Sequence, residues 1–292
     1  MKNENSLAAS VKARLQNRAK ESNRPFNDLL QLYGIERFLY RLSRSSYANQ
    51  FVLKGALMLL TLDIPSFRPT RDIDLLGHTS NDVVHIAQIF REICDVEVEP
   101  DGISFDPNSL HAHIIKKDAD YGGARVQLRA YLGKARIPLQ VDIDFADVLT
   151  PASVEVRYPT LLPFPQPQLR GYPLETIVAE KLQAMVFLGR INSRMKDFYD
   201  LWMLTTNFDF DSQTLRQAIL RTFRHRNTPI PADVPVALSD VFAKAKQSQW
   251  QAFVKRSRLE QSTPELLVVV QTLRMFLMPH LQAITASRNH QP

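Results

Sequence analysis

The chain has 292 residues, 45% of them hydrophobic and 23% charged, which is ordinary globular composition and length enough for a substantial core in two lobes or two packed domains. A formal net charge of +6 favours a polyanionic partner without requiring one. The single cysteine, Cys94, excludes an internal disulfide and fits a reducing cytoplasm; the first residues lack the apolar block of a secretory signal, and no uncharged apolar run reaches the roughly 18 residues of a membrane helix, so no membrane partner is expected.

In chain order, residues 6–23 read as an amphipathic helix, with Leu7, Val11 and Leu15 spaced by four. A second helix is expected over Asn27–Arg44, where Arg37, Arg41 and Arg44 form either a solvated face or part of a nucleic-acid surface. The apolar run from Phe51 reads as helical and carries Lys54 and Gly55; a turn with Pro65 and Pro69 follows. Arg71–Leu76 then reads as a short strand. Alternation puts Asp72 and Asp74 on one face and turns Ile73 and Leu75 into the core. Two carboxylates on a rigid strand offer hard oxygen ligands to divalent cations, the alternative being a solvated strand edge.

A helix is expected over 81–93, after capping candidates at Ser80, Asn81 and Asp82. Strands are expected at His111–Lys116, Arg125–Tyr131 and Ile137–Phe145, with Tyr121-Gly122-Gly123 as the first turn. His111 and His113 share a face but lack a third metal ligand nearby. In the last strand Val141, Ile143 and Phe145 alternate with Asp142 and Asp144. If the two acidic strands are neighbours, their carboxylates repel unless cations neutralise them. Two metal ions about 3.5–4 Å apart in such a cluster activate an attacking oxygen and stabilise a leaving phosphate.

Six prolines from Pro151 to Pro173 mark a crossing segment, which divides the chain into 1–165, N-terminal helices with a strand-bearing core, and 166–292, a helical lobe. Residues 174–189 form an apolar helix with Lys181 in its middle, either snorkelling or facing a buried anion. Residues 194–206 place Asp197 and Asp200 on one helical turn beside Arg194 and Lys196; structural ion pairs among them are the alternative. Further helices are expected near 211–223, 236–246, 248–257 and 264–285. No Walker loop, dinucleotide fingerprint, zinc pattern or metalloprotease motif occurs.

The series FVLKGAL, RPTRDIDLLG, IPLQVDIDFAD, YPLETIVAEKLQAM and NSRMKDFYDLW, over roughly residues 35–205, resembles the AbiEii/AbiGii family of nucleotidyltransferase toxins, relatives of the MenT toxins and distant cousins of DNA polymerase β. The resemblance implies an α+β fold: a polymerase-β-like core of a small mixed sheet with helices, followed by a helical C-terminal lobe. It implies a nucleoside triphosphate donor and Mg²⁺, as two ions, at Asp72, Asp74 and Asp142. Asp72, Asp74, Asp142 and Lys181 become the implied catalytic set, with Lys181 holding the triphosphate. The implied nucleotide-binding set is Lys54, Gly55, Thr70, Arg71, Lys181, Lys196, Asp197 and Asp200. Where the family's usual Gly-Ser motif has its hydroxyl, this chain has Gly55-Ala56-Leu57, so donor binding rests on backbone N–H groups and on Lys54, Thr70 and Lys181.

The expected activity is Mg²⁺-dependent transfer of nucleotides to an RNA acceptor, the 3′ end of tRNA, which blocks translation. A cognate antitoxin, a winged-helix regulator encoded nearby, is the expected partner. The alternatives are a nucleotidyltransferase acting on a small molecule or a protein hydroxyl, and a non-catalytic nucleotide- or RNA-binding module of the same fold.

Overall fold

Strand β1 (Phe51–Lys54) lies inside a seven-stranded mixed sheet. The computed structural model describes residues 2–62, 70–118, 121–261 and 263–288. The helical reading of the run from Phe51 is corrected: Phe51–Lys54 is extended, and the helix α3 begins only at Gly55 and ends at Leu59. A continuous apolar run carries no period, so it cannot separate a buried strand from a helix. Pro65 and Pro69 lie outside the described residues.

The chain falls into two units. The first is Met1–Ala146 with Val154–Gly171; the second is Asp147–Ser153 with Tyr172–Pro292. The first holds α1 (Lys2–Glu21), α2 (Phe26–Arg44), β1, α3, β2 (Asp72–Gly77), α4 (Val83–Cys94), β3 (Ile103–Asp118), β4 (Tyr121–Leu132), β5 (Ala135–Asp144), β6 (Val154–Arg157) and β7 (Gln168–Gly171). The sheet runs β3-β4-β5-β2-β1-β7-β6, with β2 parallel to β5, β1 parallel to β7 and the other pairs antiparallel. Gly122 and Gly123 belong to β4 rather than to a turn.

Period-two alternation splits the sheet into two chemistries. On one face Leu53, Ile73, Leu75, Val126, Val141 and Ile143 are buried. Helix α2 packs on that face. A Cβ on Gly34 would come within 2.8 Å of Ile137, so the glycine sets how closely the helix lies against β5. Phe38 of α2 and Phe90 of α4 stack at 5.8 Å between centroids, and Phe51 and Phe105 meet them edge-on. Asp82 caps α4 by accepting from the His85 N–H, as its position before the helix suggested.

Arg37 and Arg41 fit neither surface role proposed for them, since both are buried. Arg41 pairs with Asp101 at 2.8 Å, and Arg37 donates to the carbonyl of Pro165 at 2.7 Å while lying over the Tyr40 ring. Glu36, also buried, accepts from the Leu161 N–H at 2.6 Å and sits 3.1 Å from Arg37 Nε. The proline-rich segment is thus tied to α2 by Pro165 and Leu161.

Burial outweighs Arg37 and the Leu161 hydrogen bond and pushes Glu36 up to about 7. A folded-state value above the unfolded one gives stability that is full below the unfolded value and is lost as pH rises through about 7. Between pH 5 and 8 the wild type should therefore lose about 2–3 kcal/mol relative to Glu36→Gln. Urea denaturation of both proteins at the two pH values checks this; a gap that stays constant with pH removes the assignment.

The second unit is helical: α5 (Leu174–Leu188), α6 (Met195–Asn207), α7 (Ser212–His225), α8 (Asp240–Ser257) and α9 (Leu266–Arg288). The two helices expected at 236–246 and 248–257 are one, α8, which starts where Ser239 accepts from the Phe242 N–H. Helix α9 is long and apolar enough by composition to cross a membrane. Its apolar residues Val269, Val270, Leu273, Leu277 and Leu281 are buried, it packs on α6, α7 and α8, and its Arg274 pairs with Asp240 at 2.9 Å, which is the packing of a core helix.

Candidate active site

The other face of the sheet is polar, and its register makes a row. Lys54 of β1 stands opposite Asp74 of β2, and Asp74 lies beside Asp142 of β5. Asp142 faces Arg125 of β4, and Arg125 faces His113 of β3. One step along, Asp72 lies beside Gln140, and Gln140 faces Gln127. The two acidic strands are therefore neighbours, with Asp74 and Asp142 side by side.

The row is charge-compensated. Arg125 grips Asp142 with two hydrogen bonds, Nε to Oδ1 at 2.7 Å and Nη2 to Oδ2 at 2.8 Å. This is the bidentate geometry of the strongest charge-assisted pairs. The Asp142 bond, with the charges of Asp142, Asp72 and Asp74, raises Arg125 above its ordinary value. Lys54 donates to Asp144 at 2.6 Å, with both side chains mostly buried. Gln140 donates to Asp72 at 3.1 Å. The Arg125 and Lys54 pairings were not anticipated from the sequence.

Gly55, at the start of α3, has φ +68°, the left-handed region that costs a side-chain-bearing residue dearly. A Cβ there would collide with the Asp74 carboxylate. The glycine thus lets the chain turn closely against Asp74. Thr70 lies just before β2, its hydroxyl 3.5 Å from the Asp72 carbonyl. Arg71 is exposed and reaches Asp28 of α2 at 3.3 Å.

Other residues of the expected set lie in the second unit. Lys181 of α5 donates to Asp197 and to Asp200 of α6, each at 2.8 Å, and both aspartates are buried. Lys181 thus faces buried anions and does not snorkel. Arg194 Nε is 2.6 Å from the other oxygen of Asp197. Burial alone would raise Asp197; Lys181 and Arg194 outweigh it and hold the carboxyl below its ordinary value. Lys196 lies on the same helix, α6. Asp147 also belongs to this unit, where Arg226 donates to it at 2.9 Å and Tyr172 at 3.0 Å.

Carboxylate oxygens on adjacent strands are the donor chemistry that Mg²⁺ takes. Asp72 and Asp74 present that chemistry, whereas Asp142 has both oxygens on Arg125 and Asp144 holds Lys54. Among the described residues no group of three or more His, Cys, Asp or Glu side chains is arranged to hold an ion. The carboxylates of Asp72 and Asp74 are of the chemical type that such an ion takes. His111 and His113 are exposed on β3 and gain no third ligand among the described residues.

Residues 37–273 match the family model described as the nucleotidyl transferase AbiEii toxin of type IV toxin–antitoxin systems. The chain belongs to that family and is a nucleotidyltransferase. Membership implies a cognate antitoxin. Among solved structures the fold is similar to JHP933 from Helicobacter pylori, at 18% identity and a TM-score of 0.51, over 87% of this chain and 93% of that one. A second H. pylori structure, described as a candidate nucleotidyltransferase, aligns at 17% identity and a TM-score of 0.44, over 88% and 95% of the two chains. No curated protein matches the sequence.

Proposed function

We propose that this nucleotidyltransferase moves a nucleotidyl group from a nucleoside triphosphate to an RNA acceptor, the 3′ end of tRNA, and that this blocks translation. The observation that carries the reading is the register of β2 and β5, which sets Asp74 beside Asp142 on the polar face of a rigid sheet. The acceptor oxygen bonds to the α-phosphorus, the bond from that phosphorus to the bridging oxygen breaks, and pyrophosphate leaves. The acceptor proton passes to a carboxylate of the cluster or to water. Asp72 and Asp74 would hold Mg²⁺, which when bound supplies neutralisation of triphosphate charge.

The chain's own residues position and neutralise. Gly55 lets the chain turn tightly against Asp74 at the start of α3. Arg125 fixes Asp142, and Lys54 fixes Asp144, so the cluster is pre-set before substrate arrives. A net charge of +6 favours an RNA acceptor over a small one. We further propose a cytoplasmic location, supported by the single, buried thiol of Cys94, and a winged-helix regulator encoded nearby as the antitoxin.

The test is incubation of the purified chain with each of the four α-labelled nucleoside triphosphates, Mg²⁺ and total RNA. Label in tRNA-sized RNA is the expected result and names the donor. Label in protein or in a small molecule keeps the chemistry and replaces the acceptor.

A further inference from the structure

On the polar face of the sheet, the row through Asp74 closes at one end and stays open at the other. Towards β1 the backbone turns directly on Asp74 at Gly55, where a Cβ would collide with the carboxylate. Towards β3 the register continues through side chains that solvent reaches. Asp142 faces Arg125, and Arg125 faces His113. One step along, Gln140 faces Gln127, and Gln127 faces His111. His111, His113 and Gln127 are exposed, and the Arg125 side chain is 33% exposed. Cross-strand partners share a face, so these side chains make one continuous strip from β5 to the sheet edge at β3.

The strip has the chemistry of a nucleic-acid surface. Its one carboxylate, Asp142, has both oxygens on Arg125. That grip uses Nε and Nη2 and leaves Nη1 with no hydrogen bond among the described residues, so the guanidinium is held in one orientation with N–H groups to spare. Gln127 donates to Gln140 at 3.3 Å and Gln140 to Asp72 at 3.1 Å, which holds the two amides in line with the aspartate pair. The imidazoles of His111 and His113 offer flat faces on which unstacked bases can lie. Strand β3 is three strands from β2, about 14 Å at the usual strand spacing. An acceptor whose terminal hydroxyl lies at Asp74 therefore passes over Arg125 and then the histidines as it leaves. It does so as a single strand, since pairing would hide the base faces that the rings meet.

We propose that His111, His113, Arg125, Gln127 and Gln140 form the acceptor subsite and bind the single-stranded 3′ end of the RNA, with Arg125 on a phosphodiester and the two imidazoles against bases. The inference rests on the reading of the acceptor as RNA and adds where on the sheet that RNA lies.

Binding of a short, 5′-labelled single-stranded RNA with a free 3′ hydroxyl to the full chain, read by fluorescence anisotropy in metal-free buffer at fixed salt, tests it. His111→Ala/His113→Ala and Arg125→Gln should each weaken binding about tenfold or more. Arg125→Lys should cost less than Arg125→Gln, because it keeps a charge for the phosphodiester. In the transfer assay the histidine variant should raise KM for the RNA and leave KM for the nucleoside triphosphate unchanged, a split that damage to the fold does not produce. Circular dichroism establishes that each variant is folded. The histidines are exposed, so their variant decides the matter even if Arg125→Gln, which leaves Asp142 buried without its cation, fails to fold. Wild-type RNA affinity and an unaltered KM for RNA in the folded histidine variant overturn the strip, and label entering RNA in that same variant leaves the RNA acceptor standing. An equal loss of triphosphate affinity also overturns it, since the residues would then serve the donor. No RNA binding by the wild type, with label entering protein or a small molecule, removes the RNA acceptor and the strip with it.

Discussion

Asp74→Asn should abolish nucleotide transfer, by the order of 10²–10³-fold or more, without loss of fold. The substitution keeps shape and removes one negative charge from the centre of the polar row, between Lys54 and Asp142. A carboxylate kept only for stability would be missed when it is removed. Asp74 instead lies beside a like charge, so its removal relieves repulsion and the melting temperature should hold or rise. Activity lost while stability is kept or gained is the signature of a group retained for function. Asp144→Asn should show the opposite balance, a smaller loss of activity with a loss of stability, because Asp144 is committed to Lys54. Label incorporation and thermal melting on the same preparations separate the two patterns. Full activity in Asp74→Asn would falsify the assignment of this face as the reaction centre and return the pair to the status of a solvated edge.

The two acidic strands were legible because alternation is local: the identity of residues 72–76 and 141–145 is enough to sort carboxylates from core. That β2 and β5 are neighbours is a long-range fact, since Asp74 pairs with Asp142, 68 positions further on, and alternation alone does not contain it. The Lys54–Asp144 pair was hidden for the same reason, compounded by reading Phe51–Lys54 as helix. Arg125 was within reach. Leu132 pairs with Ala135 across the two-residue turn Gly133-Lys134, and counting back along both strands from that turn places residue 125 opposite residue 142. The turn signal was in the sequence, and what was missing was the count. Arg37 and Arg41 mislead in another way. Composition suggests surface, and only the presence of Asp101, Glu36 and the Pro165 carbonyl explains their burial. Helix α6 was legible in outline, since Asp197 and Asp200 are one turn apart, whereas Lys181 among apolar residues left snorkelling and a buried anion equally open until α6 was seen beside it.

Lys181→Met should destabilise the second unit by about 3–5 kcal/mol. Lys181 is the cation shared by two aspartates on one turn of α6, each with a side chain only 1% exposed. Its removal strips a partner from both, and Arg194, itself half exposed, still pairs with Asp197. Methionine fills the same volume, so the loss measures charge and not a cavity. The lowered value of Asp197 sets the pH window: stability from this carboxylate is present above its unfolded value of about 4 and is lost as pH falls through the lower folded value, so the wild type should keep its advantage at neutral pH and lose it in acid. Adding Asp197→Asn and Asp200→Asn to Lys181→Met should recover part of the loss, because neutral amides tolerate burial without a cation. Denaturation of the single, double and triple variants measures the coupling directly. The result also decides how an inactive Lys181 variant is read. Loss of transfer in a protein that has lost several kcal/mol says nothing about triphosphate binding. A raised KM for the donor in the triple variant, with stability restored, would assign the ammonium to the substrate. An unchanged melting temperature in Lys181→Met would mean that the three charges in α5 and α6 do not hold those helices together.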